Sequence, residues 1–207
     1  MEKEDEIETI NIRIIAIGRH GVGRRSLIKR FIDNTFEERD VFLGDSMRKT
    51  IKLNDNQQVK VIFYIHNSGE TFFQLRPFNL KSYDGFILAY EVDISYTFES
   101  LNEAIEYICK YNIDLNEKPI ILIGNKLDNK YKLVSTEEAQ AFATNNGLLA
   151  FYETSAKKNI NVNESLNRLI KKICEVKSFS PKKEKIKLKD EKKNINKVNR
   201  DKKKCIK

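Results

Sequence analysis

What most constrains the fold of this chain is an alternation of short, unbroken apolar runs with stretches of helical period. Gly85-Phe86-Ile87-Leu88-Ala89-Tyr90 and Ile120-Ile121-Leu122-Ile123 are continuously apolar. A strand with one wet face alternates polar and apolar residues, so unbroken runs suit strands covered on both faces, as in parallel sheets flanked by helices. Ile10 to Ile17 is β-branched and apolar. Lys49 to Leu53 and Val59 to Ile65 read as two strands joined by the turn Asn54-Asp55-Asn56, and Leu148 to Tyr152 as a sixth strand. Between them lie helical periods: Ser26 to Ile32; Leu101, Ala104, Ile105 and Ile108; Ser135 to Phe142, opened by the capping box of Ser135 and Glu138; and Val162 to Val176. Six strands and about five helices predict a three-layer α/β/α fold around a mostly parallel sheet. In such sheets ligands bind beyond the carboxyl ends of the strands.

Charge divides the chain in three. The stretch from Lys177 to Lys207 holds fourteen Lys and Arg against four acids, leaving 24 basic and 26 acidic residues elsewhere. The formal charge of +8 therefore belongs to the tail. A basic globular surface for nucleic acid is not expected. The predicted organisation is an acidic N-terminal extension over 1–9, a folded domain over 10–176 and a disordered polybasic tail over 177–207. No apolar run approaches the ~20 residues of a membrane span. Met1-Glu2-Lys3-Glu4-Asp5 lacks a signal peptide's order, and Glu2 stands where myristoylation needs glycine. Three widely spaced cysteines and two histidines argue for a reducing compartment and against a multi-histidine metal site.

Gly18, Gly21 and Gly23 punctuate the first strand-to-helix turn. Gly18 and Gly23 have the G-x-x-x-x-G spacing of a phosphate loop, where backbone N–H groups and a helix N-terminus hold phosphates. Alone, that spacing also suits a tight turn; after the first strand of an α/β chain, phosphate binding is the better reading. Asn125-Lys126-Leu127-Asp128 follows the fifth strand and Glu153-Thr154-Ser155-Ala156-Lys157 the sixth.

With these boxes in place, the chain from about Ile10 to Val176 resembles a small GTPase of the Ras superfamily, which has a P-loop NTPase-type fold. The resemblance implies GTP and GDP as ligands. By it, Asp128 accepts hydrogen bonds from guanine N1–H and the 2-amino group. Asn125 braces the loops, the Lys126 stem covers the base, and the Ala156 N–H in the Ser155-Ala156-Lys157 box meets guanine O6. Phe36 falls where the family packs an aromatic against the purine. Gly18, Gly21, Val22, Gly23, Arg24, Arg25 and Ser26 make up the phosphate loop. Asp45-Ser46-Met47-Arg48-Lys49 resembles the Ras and Rap effector segment, and Asn159 to Glu164 the Rap-type entry to the last helix.

The phosphate and metal half departs from the family. Where its loop ends Gly-Lys-Ser/Thr, this one ends Gly23-Arg24-Arg25. Arg24 keeps the lysine's charge in a wider, planar group, and Arg25 puts a cation where a magnesium-ligating hydroxyl belongs. Moving the register to Ser26 would lengthen the loop and misplace Leu27 and Ile32. Phe42 aligns with the second magnesium-ligating threonine, His66 with the Asp of Asp-x-x-Gly, and Glu70 with the water-positioning glutamine. His20 replaces a small glycine. Magnesium needs oxygen ligands, so this set predicts no metal site and no confident catalytic residue. The implied function is guanine nucleotide binding in signalling or membrane trafficking, with GTP hydrolysis weak or lost. The alternative is a nucleotide-free pseudo-GTPase, an interaction module. Either presents 45–49 and 70–80 to effectors or regulators.

The tail stretches Lys182 to Lys189 and Lys202-Lys203-Lys204-Cys205-Ile206-Lys207 resemble hypervariable tails of the superfamily. They predict a cytoplasmic protein in reversible contact with an anionic membrane face, at about 1 kcal/mol per basic residue near the surface. With two residues after it, Cys205 forms no C-a-a-X box, which leaves acylation or prenylation at an unusual end as the routes to a lipid. A solvated tail with an idle thiol, and a nuclear-import or nucleic-acid role, are the alternatives.

Overall fold

The computed structural model describes residues 7–38, 44, 46–65, 80–111, 113–114 and 117–179. Its elements run β1 (Glu8–Ile17), α1 (Arg24–Asp33), β2 (Ser46–Asn54), β3 (Gln57–Ile65), β4 (Gly85–Glu91), α2 (Ser95–Glu99), α3 (Leu101–Lys110), β5 (Ile120–Asn125), α4 (Thr136–Asn145), β6 (Ala150–Glu153) and α5 (Val162–Phe179). Met1–Ile173 is one compact unit and Cys174–Lys207 a second.

The six strands form one sheet in the order β2-β3-β1-β4-β5-β6. Only β2 is antiparallel to its neighbour; the other pairings are parallel. The fold is thus the six-stranded, mostly parallel α/β architecture expected from the apolar runs. Every residue of β4 and β5 is buried, whereas β2, at the sheet edge, has no fully buried position. Helix α3 turns Leu101, Ala104, Tyr107 and Ile108 inward at helical spacing. Phe98 and Tyr90 pack edge to face at 4.9 Å, and Phe31 and Phe63 at 5.8 Å. Lys49 of β2 reaches α1, donating its ammonium to the Phe31 carbonyl 4.2 Å from that ring's centroid.

Several boundaries differ from the sequence reading. β1 begins at Glu8, inside the expected N-terminal extension, because Glu8 N–H donates to the Asn56 carbonyl (2.8 Å) and its carboxylate accepts from Gln57 Nε2 (2.7 Å). α1 starts two residues before Ser26, since Gly23 caps it with a left-handed backbone. β6 starts at Ala150 rather than Leu148: the Leu148 N–H closes back onto the Ala143 carbonyl at the end of α4. α5 continues to Phe179, so 177–179 is helical, not disordered. The rest of the basic tail and residues 1–6 lie outside the described residues. Among those described, no helix is long and apolar enough to cross a membrane.

Candidate functional site

The carboxyl ends of β1, β4, β5 and β6 converge on the loop between β1 and α1. At Gly18 a Cβ would lie 2.2 Å from the Ala89 carbonyl oxygen, so only glycine lets β1 leave the sheet this close to β4. Gly23 has φ +87° and a Cβ there would lie 2.3 Å from Asn125 Nδ2. Both the left-handed backbone and the space require glycine. Among the described residues no side chain caps α1, and no acid occupies its first turn. A helix start of this kind presents N–H dipoles to an anion.

Asn125, at the end of β5 and 1% exposed, is the hub. Its Nδ2 donates to the Val22 carbonyl (3.0 Å), and its Oδ1 accepts from Thr154 Oγ1 (3.1 Å) and the Ala156 N–H (3.3 Å). One amide thus joins the β1–α1 loop to the loop after β6. Ser155 Oγ donates to Asp128 Oδ1 and accepts from the Lys158 N–H at 2.9 Å. Leu127 N–H donates to the Thr154 carbonyl (2.9 Å), holding the two loops side by side. Lys126 has φ +65°, and its Nζ pairs with Glu91 Oε2 at 2.7 Å.

The structure brings Val22, Gly23, Asn125, Lys126, Asp128, Ser155 and Ala156 together. Phe36 is joined to the same side through Arg30, whose guanidinium carbon lies 6.0 Å from its ring centroid. Lys157 points outward and pairs with Glu38 Oε1 at 3.1 Å. His20 and Gly21 are exposed on the loop. Arg24 is 7% exposed, so the reading of the two arginines as a solvated helix start fails for it. Arg25 is half-buried and donates to the Gly44 carbonyl at 3.3 Å. Ser26 is half-buried on the first turn of α1.

Three contributors were missed in the sequence, Glu91 among them. Arg30 donates from Nε to the Ala156 carbonyl (2.8 Å) and from Nη2 to the Lys157 carbonyl (3.1 Å), latching α1 to the loop after β6. Its only sequence signal is a cation in the last turn of α1. Arg19 stacks 4.9 Å from the Tyr96 centroid and stands 3.5 Å from Glu103 Oε2. Below the site, burial raises the Tyr90 hydroxyl's pKa, and the Glu153 and Glu138 carboxylates raise it further.

Guanidinium groups offer donors only, so Arg24 and Arg25 fit phosphate oxygens and not a divalent cation. The other expected positions of the metal half, Phe42, His66 and Glu70, lie outside the described residues, as do Asp45 and 70–79. Among the described residues no group of three or more His, Cys, Asp or Glu could hold a metal ion.

Residues 13–175 match the model of the Ras family, whose members bind GTP and GDP. The match covers the sheet from Arg13 in β1 onward and all the loops just described. The chain belongs to the Ras family of small GTPases.

Proposed function

We propose that this protein binds GDP and GTP without requiring magnesium and hydrolyses GTP weakly or not at all. The observation that carries the reading is the asymmetry of the site. Asn125 ties the loops of the purine side into one network, while the start of α1 carries Arg24 and Arg25 in place of a cation's ligands. In this reading Asp128, Ala156, Lys126 and Phe36 take the base. Gly18, Gly21, Val22, Gly23 and Ser26 cradle the phosphates, and the two guanidinium groups neutralise phosphate charge through charge-assisted hydrogen bonds. Without a metal ion or a loop lysine, phosphoryl transfer loses its main electrostatic supports. Glu70 adds a negative charge where an attacking water would be oriented.

The likeness of 45–49 to an effector segment supports a reading on the Ras/Rap side, in signalling or trafficking, with 45–49 and 70–80 meeting effectors or regulators. The basic tail beyond α5 holds it reversibly at an anionic cytosolic membrane face. A second reading, a nucleotide-free interaction module, is favoured by one feature: the Ala156 N–H and Arg25 already have partners within the chain.

Calorimetric titration with GDP and GTP, with magnesium and with a chelator, separates the two. Equal heats in both buffers are expected. Heat only with magnesium overturns the metal-free reading, and no heat with either nucleotide leaves the interaction module. Single-turnover phosphate release above a buffer control would overturn the loss of hydrolysis.

A further inference from the structure

We propose that Glu91 is a positioning residue whose carboxylate holds the Lys126 stem across the phosphate loop at Gly23. Glu91 is the one charged residue of β4 and is 7% exposed. A buried carboxylate is costly unless paired, and an acid beneath a loop that takes phosphates opposes the anion. Its place there therefore calls for a role that its charge alone would impair.

The geometry supplies one. Glu91 pairs in register with Asn125, the residue before Lys126. Its backbone is fixed from α2: the Glu91 N–H donates to Thr97 Oγ1 (3.0 Å), which donates to the Ile94 carbonyl (2.7 Å). Lys126 has a left-handed backbone, φ +65°, which a residue with a Cβ keeps only where its surroundings over-determine it. From there the side chain passes the loop, with Cε 4.0 Å from where a Gly23 Cβ would stand, and ends on Glu91 Oε2 at 2.7 Å. The ion pair fixes the far end of a chain that otherwise has four free torsions. It also cancels the ammonium's charge, so Lys126 contributes an apolar stem and leaves phosphate neutralisation to Arg24 and Arg25.

This deepens the nucleotide-binding reading and rests on it for its ligand, yet it has a readout that needs no nucleotide. Four full-length proteins are compared: wild type, Glu91→Gln, Lys126→Met and the double variant. Each is titrated with guanosine and with GDP, and amide exchange at 21–24 is followed without ligand. Glu91→Gln is expected to weaken guanosine and GDP alike by about tenfold and to speed exchange at those amides. Both effects should vanish in the Lys126→Met background, which a general loss of stability would not do. Glu91→Asp, with a shorter reach, should behave as Glu91→Gln and serves if the latter does not fold. A Glu91→Gln effect that persists without the Lys126 ammonium overturns the proposal. So does GDP binding that tightens while guanosine binding is unchanged, which would make Glu91 a repulsive charge. If wild type binds neither ligand, the nucleotide reading fails while Lys126-dependent exchange still supports Glu91; exchange equal in all four proteins overturns the role of Glu91.

Discussion

Asn125 uses one amide hydrogen and both carbonyl lone pairs to join segments about thirty and one hundred residues away. Asn125→Ala would strand the Thr154 hydroxyl and the Ala156 N–H in a buried place, at a cost of about 3 kcal/mol. A fall of that size in urea unfolding free energy, with loss of nucleotide binding, is the expected outcome. Tyr90 is the opposite case. Its hydroxyl is buried with no hydrogen-bond partner among the described residues, and it fills the space over Gly124, where a Cβ would lie 2.6 Å from the oxygen. Tyr90→Phe should therefore stabilise the protein by about 1 kcal/mol in the same measurement.

Among the elements, β4 and β5 were plain in the sequence because strands buried on both faces have no polar side to blur their limits. α4 was equally plain: Ser135 accepts from the Glu138 N–H at 3.0 Å, as its spacing predicts. Ser135→Ala should cost about 1 kcal/mol in thermal unfolding. The start of α1 was harder to read, since two arginines oppose the helix dipole and the cap is a left-handed glycine rather than a side chain. Arg30 and Glu91 were invisible for another reason. Each acts across a contact that only the folded sheet creates, Arg30 with residues 126 and 127 positions away and Glu91 with Lys126 just past the end of the next strand. The base-side boxes could be quoted from the sequence, but the latch that aligns them could not. Arg30→Ala should lower guanosine affinity about tenfold, because two hydrogen bonds from one guanidinium hold the Ala156 loop to α1.

For the molecule as a whole, alkaline pH is the revealing variable. Burial raises the pKa of Tyr90 and of Tyr83, so the fold favours their neutral forms. Their contribution is fully present below the unfolded value of about 10 and is lost as pH rises towards the folded values. The melting temperature should therefore hold to about pH 9 and decline above 10, less steeply in Tyr90→Phe. The proposed membrane contact has its own dependence: pelleting with anionic vesicles should fall as salt rises and disappear with neutral lipid. Pelleting indifferent to both would remove the tail from the account. Lys49 has one more consequence at this scale. It stands on the outermost strand yet grips the last turn of α1, one residue from Arg30. A displacement of the outer strand is thereby passed on, by this ammonium among other contacts, to the turn of α1 from which Arg30 reaches the loop after β6.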